Sequence, residues 1–335
     1  MKVITDPNQV EKQWSAFVYN HQYGNIFQTH EMYQVYKQTK NYEPLFISIV
    51  DAKDDIIGTL LAVILKEHNG ILGHLSARSI IWGGPLIKDN NFVVLNNILN
   101  EYKKRIKGKA IYTQFRNQWD WSMGEKDIFI KNEYSYEEHL DILIDLKRKE
   151  DELLMKMHKG RRKNIGRAER EPLKFSEIED VNDFDKCLKL IEDTYKRVKL
   201  PCPNRSFFYN TDNNFRNGCT FRKFVAKFQD NIISCRFVLC YKGLVYDWFA
   251  GTDENHLDKY PNDYLPCKIL QWAKINGYNT FDFGGAGKPN KPYGVREYKL
   301  KFGGELVNFG RFECIHDKIL IKIGHLGLKV FKLLQ

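Results

Sequence analysis

The sequence predicts an α/β fold of the α+β kind: two similar halves in tandem, each a mixed, largely antiparallel sheet flanked by helices. Three observations predict it. The chain has 335 residues, more than one hydrophobic core usually holds, so two domains of roughly 150 to 170 residues are expected. Apolar residues make up 43%, with 22 Phe and 18 Tyr, which is enough to fill two cores and excludes disorder as the main state. The same order of strands and helices is read on either side of a highly charged stretch from Lys147 to Arg170.

The elements follow in order. The chain opens as a strand and then a helix, with Asp6 as N-cap and Pro7 at the first helical position, where the missing N–H costs nothing. A second helix is expected from Thr29 to Thr39. Strand-like runs follow at Pro44 to Val50, Ile56 to Leu65 and Gly70 to Leu75, with a turn at Asp54-Asp55, and suggest an antiparallel meander. A helix from Phe92 to Ile106, a strand from Ala110 to Phe115 and a strand near Tyr134 to Ile144 complete the first half. In the second half, strand Leu173 to Glu177 and helix Val181 to Arg197 precede a short helix from Ser206 to Phe215. Strands Thr220 to Phe228, Ile232 to Tyr241 and Leu244 to Ala250, helix Asp263 to Asn276 and strand Asn279 to Phe283 complete it. The division expected is residues 1–146, a basic helical hinge at 147–172, and 173–335 with an amphipathic helix at its end.

Charge separates the halves more sharply than composition does. Residues 1–145 hold 16 Lys and Arg against 18 Asp and Glu, a balance of −2, and the net charge of +10 leaves +12 for the rest. A basic surface concentrates anionic ligands, so phosphate-bearing substrates become plausible; a lysine-rich surface that only keeps the protein in solution is the alternative. The longest apolar stretch, Ile56 to Leu65, is about half of the ~20 residues a membrane span requires. The N-terminus turns polar too early for a signal-peptide core, and a cytoplasmic location follows. Seven cysteines without a CxxC pair fit neither a disulfide framework nor a zinc site, so reduced, mostly buried thiols are expected.

The motifs are few. Asp282 to Pro289 reads D-F-G-G-A-G-K-P after a strand, but Asp282 and Pro289 stand where a phosphate loop needs Gly and Ser or Thr. What remains is a glycine-rich loop at the carboxyl end of a strand, a common place for a ligand site. Lys156 to Arg170 is a run of Lys and Arg opposed only by Glu169. Within it Lys163 to Ala168 weakly matches the pyrophosphate loop of acetyl-coenzyme A enzymes, and a basic helix is the preferred reading. The nine His carry no HExxH spacing and no G-x-S-x-G elbow occurs, so no metal is expected, and chemistry here rests on positioning and electrostatics.

One signature is more specific. Gly294-Val295-Arg296-Glu297-Tyr298-Lys299-Leu300-Lys301-Phe302-Gly303-Gly304-Glu305, just after Phe281-Asp282-Phe283-Gly284-Gly285, resembles the C-terminal signature of the Fem family, with Tyr298 where the family has Phe. Phe27-Gln28-Thr29 with Tyr33 and Lys37, Arg161 to Ala168, and Asn262 to Ala273 resemble other family segments in family order. The resemblance implies two tandem GNAT-like domains. It implies an acyltransferase that moves an aminoacyl or acyl group from aminoacyl-tRNA or acyl-coenzyme A to an amine of a peptidoglycan precursor, with no tightly bound cofactor. Lys299 would receive the developing oxyanion, with Tyr298 setting its orientation; a surface strand lysine is the alternative for Lys299. Lys37, Arg205 and Tyr209 would hold the muropeptide and its phosphates, Tyr246 and Trp248 would wall the site, and Gly285 would belong to its loop. One cleft lined by Lys37, Arg205, Tyr246 and the loop from Gly284 to Lys291 is expected. The long coiled-coil arm of some family members is missing, which puts tRNA as donor in doubt.

The tail places Lys318, Lys322, His325, Lys329 and Lys332 within about 80° of a helical wheel, a stripe that could lie on an anionic membrane, although docking on its own core is the preferred reading. The partners expected are therefore a muropeptide or other amine acceptor, with tRNA and a peripheral membrane contact at its inner face as further ones, and no DNA. Two alternatives stand beside this: an acetyl-coenzyme A dependent N-acyltransferase of another small-molecule or polysaccharide precursor, and a non-catalytic nucleic-acid-binding protein.

Overall fold

The computed structural model describes residues 1–66, 77–215, 220–318 and 320. The expected strand from Gly70 to Leu75 and all but the first residues of the expected C-terminal helix lie outside them. The chain forms two compact units, the first made of Met1–Glu138, Tyr209–Asn214 and the segment from Phe309 on, the second of His139–Phe208 and Phe215–Asn308.

In the first unit the elements are β1 (Lys2–Ile4), α1 (Glu11–Asn20), α2 (His30–Gln38), β2 (Tyr42–Val50), β3 (Ile56–Leu65), β4 (Arg78–Trp82), β5 (Leu86–Ile87), α3 (Phe92–Ile106), β6 (Tyr112–Arg116), α4 (Met123–Lys131), β7 (Ser135–Glu137) and the late strand β15 (Arg311–Ile315). Thr29 caps α2 by accepting from Met32 N–H, and Asn91 caps α3 by accepting from Val93 and Val94. The apolar spacing of α3 buries Val94, Leu95, Ile98, Leu99, Tyr102 and Ile106 on one face, each a gain of roughly 1.5–3 kcal/mol when removed from water. The sheet order is β1-β2-β3-β4-β6-β15-β7, with β5 on β3; β4 and β6 run parallel and every other pair is antiparallel.

In the second unit the elements are β8 (Leu140–Asp145), α5 (Glu150–Lys156), α6 (Lys159–Ala168), β9 (Leu173–Glu177), α7 (Val181–Arg197), α8 (Arg205–Asn214, whose latter part counts with the first unit), β10 (Thr220–Phe228), β11 (Asn231–Tyr241), β12 (Leu244–Thr252), α9 (Pro261–Ile275), β13 (Thr280–Asp282), α10 (Gly294–Leu300) and β14 (Glu305–Asn308). The sheet order is β14-β8-β13-β12-β11-β10-β9, again with a single parallel pair, β12 and β13. Read from β1 and from β9, the two sheets have the same sequence of pairings: three antiparallel, one parallel, two antiparallel.

Two expectations change, and two alternatives fall away. The strand expected near Tyr134 to Ile144 is two strands, and the second, β8, pairs with β13 and β14 in the second sheet. The segment expected as a basic hinge is α5 and α6, which pack Leu153, Met157, Ile165 and Ala168 into the core of the second unit. Lys163 to Ala168 is accordingly helix rather than a pyrophosphate loop. Lys299, for which a strand was one alternative, lies on helix α10. Of the seven cysteines, Cys187, Cys202, Cys235, Cys240, Cys267 and Cys314 are free thiols, most of them buried.

Candidate functional site in the second unit

The parallel ladder between β12 and β13 is short. It joins Leu244, Val245 and Tyr246 to Thr280, Phe281 and Asp282, and there β13 ends, while β12 continues to Thr252. A β-bulge lies at this point: Val238 of β11 faces Asp247 and Phe237 faces Phe249, so Trp248 is the extra residue. Bulges re-aim neighbouring side chains and commonly sit beside active sites. On its other side β13 stays bound to β8, and past Asp282 the main chain still donates from Phe283 to Ile142 O at 2.9 Å and from Ala286 to Leu140 O at 2.7 Å. The loop is thus held on one edge at the carboxyl end of a parallel strand, a usual place for a ligand crevice.

Glycine is required at the start of that loop. Gly284 has φ +68°, and a Cβ there would lie 3.0 Å from Tyr246 Oη. Its N–H donates to Asp282 Oδ1 at 2.6 Å. Further on, the guanidinium of the buried Arg296 donates to the carbonyls of Lys288 (2.9 Å), Pro289 (3.1 Å) and Lys291, which fixes the rest of the loop against α10.

Lys299 is reached from α10. Its Nζ donates to Gly284 O at 3.1 Å and Gly285 O at 2.9 Å, so two of its three N–H groups are used by the loop. Burial lowers its pKa from the ordinary lysine value, opposed by the carboxylates of Asp247, Asp141 and Asp282. Burial also pushes Asp282 well above the usual carboxyl range, helped by the charge of Asp141, to which it is hydrogen-bonded.

Two buried arginines frame the lysine. Arg236 of β11 donates through Nη1 to Asp247 and through Nη2 to Tyr298 Oη at 3.2 Å, and Tyr298 Oη donates in turn to Asn262 O at 2.6 Å. Arg161 of α6 donates to Asp263 and to Tyr298 O at 3.0 Å, with its guanidinium 4.5 Å over the Tyr298 ring and 4.3 Å over that of Phe302. Burial raises the pKa of both Asp247 and Asp263, with the paired arginine pulling each back.

Of the residues singled out from the sequence, Lys299, Tyr298, Tyr246 and Gly285 come together here. Tyr298 does not orient Lys299 as expected: its hydroxyl is committed to Arg236 and Asn262, and the two glycine carbonyls hold the ammonium. Trp248 packs in an aromatic cluster with Phe207, Phe208, Phe221 and Phe249. Arg205 binds Glu192 through two bonds of 2.7 and 2.8 Å and Asp185 at 3.2 Å, so carboxylates of α7 already engage the charge expected to meet an anionic ligand. Lys37, exposed in the last turn of α2, and Tyr209 belong to the first unit. The sequence reading missed Asp247 and Arg236; each is a lone charged residue within an apolar strand, but their pairing is set by strand register. Among the described residues no group of three His, Cys, Asp or Glu is placed to hold a metal, and no helix is long and apolar enough to cross a membrane.

Residues 156–300 match the family model described as an acetyltransferase (GNAT) domain. No curated protein matches the chain in sequence. Among solved structures, FemX is similar over 96% of this chain and 99% of its own, with 15% identity and a TM-score of 0.74. A tandem GNAT protein from the clavulanic acid biosynthesis pathway is similar over 94% of this chain and 98% of its own, with 8% identity and a TM-score of 0.61. L-PGS from Bacillus licheniformis is similar over 94% of this chain and 95% of its own, with 14% identity and a TM-score of 0.57. The tandem GNAT-like architecture and the resemblance to the Fem fold expected from the sequence are borne out, and the segment that matches the acetyltransferase (GNAT) model falls within residues 156–300.

Proposed function

We propose that this protein transfers an aminoacyl or acyl group, carried by tRNA or coenzyme A, to an amine of a peptidoglycan precursor. The observation that carries the reading is Lys299: a buried ammonium, held by two carbonyls at the carboxyl end of β13, inside the segment that matches the GNAT model. Its third N–H is the group that would meet a developing oxyanion. In aminolysis the amine attacks an ester or thioester carbonyl, negative charge collects on the carbonyl oxygen, and a fixed cation there contributes roughly 3 kcal/mol to the transition state. Because the ammonium is already desolvated and its carbonyl partners fixed, little reorganisation is needed when that charge appears.

The likeness to FemX favours a muropeptide acceptor and a location beside the membrane where such precursors are assembled. Both donors are polyanions, and the exposed cations Lys156, Lys159, Arg162, Lys163 and Arg170 on and around α5 and α6 suit either. The tandem GNAT protein supports coenzyme A as the alternative donor, with an acceptor from another pathway. Against it, the connection from β12 to α9, Asp253 to Tyr260, contains no glycine and carries Asp253, Glu254 and Asp258, an unfavourable setting for a pyrophosphate at the start of α9.

The test is mass spectrometry of the acceptor after incubation with charged tRNA or acetyl-coenzyme A in parallel. The acceptor is a uridine-diphosphate-linked muramyl peptide with a free lysine amine. The expected result is a mass increase of one aminoacyl group, formed far more slowly by Lys299→Met. Salt-dependent RNA affinity without any acylated product would instead indicate a nucleic-acid-binding protein.

A further inference from the structure

We infer that Asp247 is the proton acceptor for the attacking amine, with Arg236 and Tyr298 as the residues that position it; this rests on the acyl transfer proposed above. The starting observation is an orphan. Asp247 has 8% side-chain exposure, its Oδ2 is bound by Arg236, and its Oδ1 is buried without a hydrogen-bond partner among the described residues. A buried acceptor left unmade costs about 1–3 kcal/mol, and more when the group is charged, so it calls for a reason. Nothing in the packing of β12 supplies one.

Three features point to the reaction. Asp247 is the first residue of β12 beyond the last rung of the ladder with β13, and the bulge at Trp248 follows it directly. It is close enough to Lys299 for each to shift the other's titration. Its one engaged oxygen is fixed by a chain of bonds, since Arg236 is itself held by Tyr298, whose proton goes to Asn262 O. Oδ1 therefore has a set direction while remaining uncommitted. The charged and titratable groups around it are Arg236 from β11, Lys299 and Tyr298 from α10, and Tyr195 from α7. Burial raises its affinity for a proton above that of an ordinary aspartate, the direction a general base at neutral pH needs.

The step balances with no further reactant. As the amine nitrogen bonds to the carbonyl carbon, one N–H proton passes to Asp247 Oδ1 and the oxyanion forms against Lys299. When the tetrahedral species collapses, the bond to the leaving oxygen (tRNA ester) or sulfur (thioester) breaks. The proton moves from Asp247 to that atom, and an amide and a free carboxylate remain.

The experiment measures kcat and KM against pH for wild type, Asp247→Asn, Asp247→Glu and Tyr298→Phe, using the muramyl peptide and whichever donor the wild type turns over. Asp247→Asn is expected to lower kcat ~10²–10⁴-fold with KM little changed and to abolish the rise of kcat with pH. Asp247→Glu should restore the rise with part of the rate, and Tyr298→Phe should keep it at a modestly lower kcat. An Asp247→Asn protein that is folded and retains the rise overturns the inference. If Asn does not fold, Asp247→Glu decides: a displaced rise supports the proposal, and an unmoved one overturns it. Wild type that acylates no acceptor with either donor overturns the acyl-transfer reading itself, a failure seen before any variant is made.

Discussion

The two units share one ladder of pairings and differ in what they place at its single parallel rung. In the first unit β4 and β6 stay together over five residue pairs, Arg78–Trp82 with Tyr112–Arg116. The rung is bridged by neutral hydroxyls, with Tyr102 Oη donating to Ser79 Oγ at 2.6 Å and lying 2.9 Å from Thr113 Oγ1. In the second unit the corresponding β12 and β13 part after three pairs, and the gap is ringed by Asp247, Asp282 and Lys299. Burying charge is expensive, so a sheet keeps it only where pairing or function offsets the cost. The same rung is thus bridged by neutral hydroxyls in one copy and flanked by buried charged groups in the other, and the GNAT match falls on the charged copy.

The largest expected effect comes from breaking the frame of that charged cluster. Arg161→Met leaves Asp263 buried without its guanidinium partner and should destabilise the protein by ~3–5 kcal/mol, measured by urea denaturation. Arg161→Met with Asp263→Asn should recover part of the loss, because the stranded charge is removed. Equal losses in the single and double variants would mean that Arg161 acts through packing on Tyr298 and Phe302 alone.

Next is Lys299→Met, expected to lower kcat ~10²–10³-fold with KM nearly unchanged. Its counterpart in the first unit is Tyr102→Phe, which removes the hydroxyl bridge between β4 and β6. That change should cost about 1 kcal/mol in stability and leave kcat alone. A comparable loss of kcat in Tyr102→Phe would show that the two parallel rungs are not functionally distinct.

Much of this scaffold was legible because long periodic segments announce themselves. Helices Phe92–Ile106 and Val181–Arg197 and strands Ile56–Leu65 and Leu173–Glu177 fall where apolar spacing puts them. Helix α4 was missed although Ser122 and Glu125 spell a capping box, because its apolar face is weak and tryptophan-rich loop residues precede it. Helix α10 was read only as a motif; seven residues that begin with a glycine are too few to show a period. At the site, the glycines and Lys299 were visible as a local string. The Arg236–Asp247 pair was not, because a cross-strand pair depends on hairpin register and on the bulge at Trp248, which no local pattern reveals.

A smaller effect is predicted in the pH dependence of stability. Burial and Asp141 raise the pKa of Asp282 in the folded protein above its unfolded value. The folded state therefore holds a proton that the unfolded state has lost, and this contribution is fully present below the unfolded pKa and is lost as pH rises toward the folded one. As pH rises above the unfolded value near ~4 toward the folded one, the group should lower stability by up to ~1.4 kcal/mol per pH unit. Asp282→Asn should flatten that slope in denaturation series at several pH values. An unchanged slope would show that Asp282 does not hold that proton in the folded state. Carboxylates such as Glu43 in the first unit, held down by Lys109 and Lys66 against its burial, act in the opposite sense, losing stability as pH falls.

The smallest effect tests whether the first unit is only a scaffold for turnover. Ser122 Oγ accepts from Glu125 N–H at 3.3 Å, while Glu125 Oε2 accepts from Ser122 N–H at 2.9 Å and from its hydroxyl at 2.6 Å, so both ends of the box at the start of α4 are closed. Ser122→Ala opens one of them and should cost about 1 kcal/mol. Helix α4 presses Phe129 onto Phe312 of β15 with rings 3.9 Å apart, so the loss should be felt by the first sheet as a lower melting temperature and not merely as a frayed helix end. Because the transition-state groups assigned here all lie on the second unit, kcat and its pH profile should remain those of wild type at temperatures where the variant is folded. A fall in kcat out of proportion to the lost stability would mean that chemistry, and not only folding, depends on the first unit's sheet.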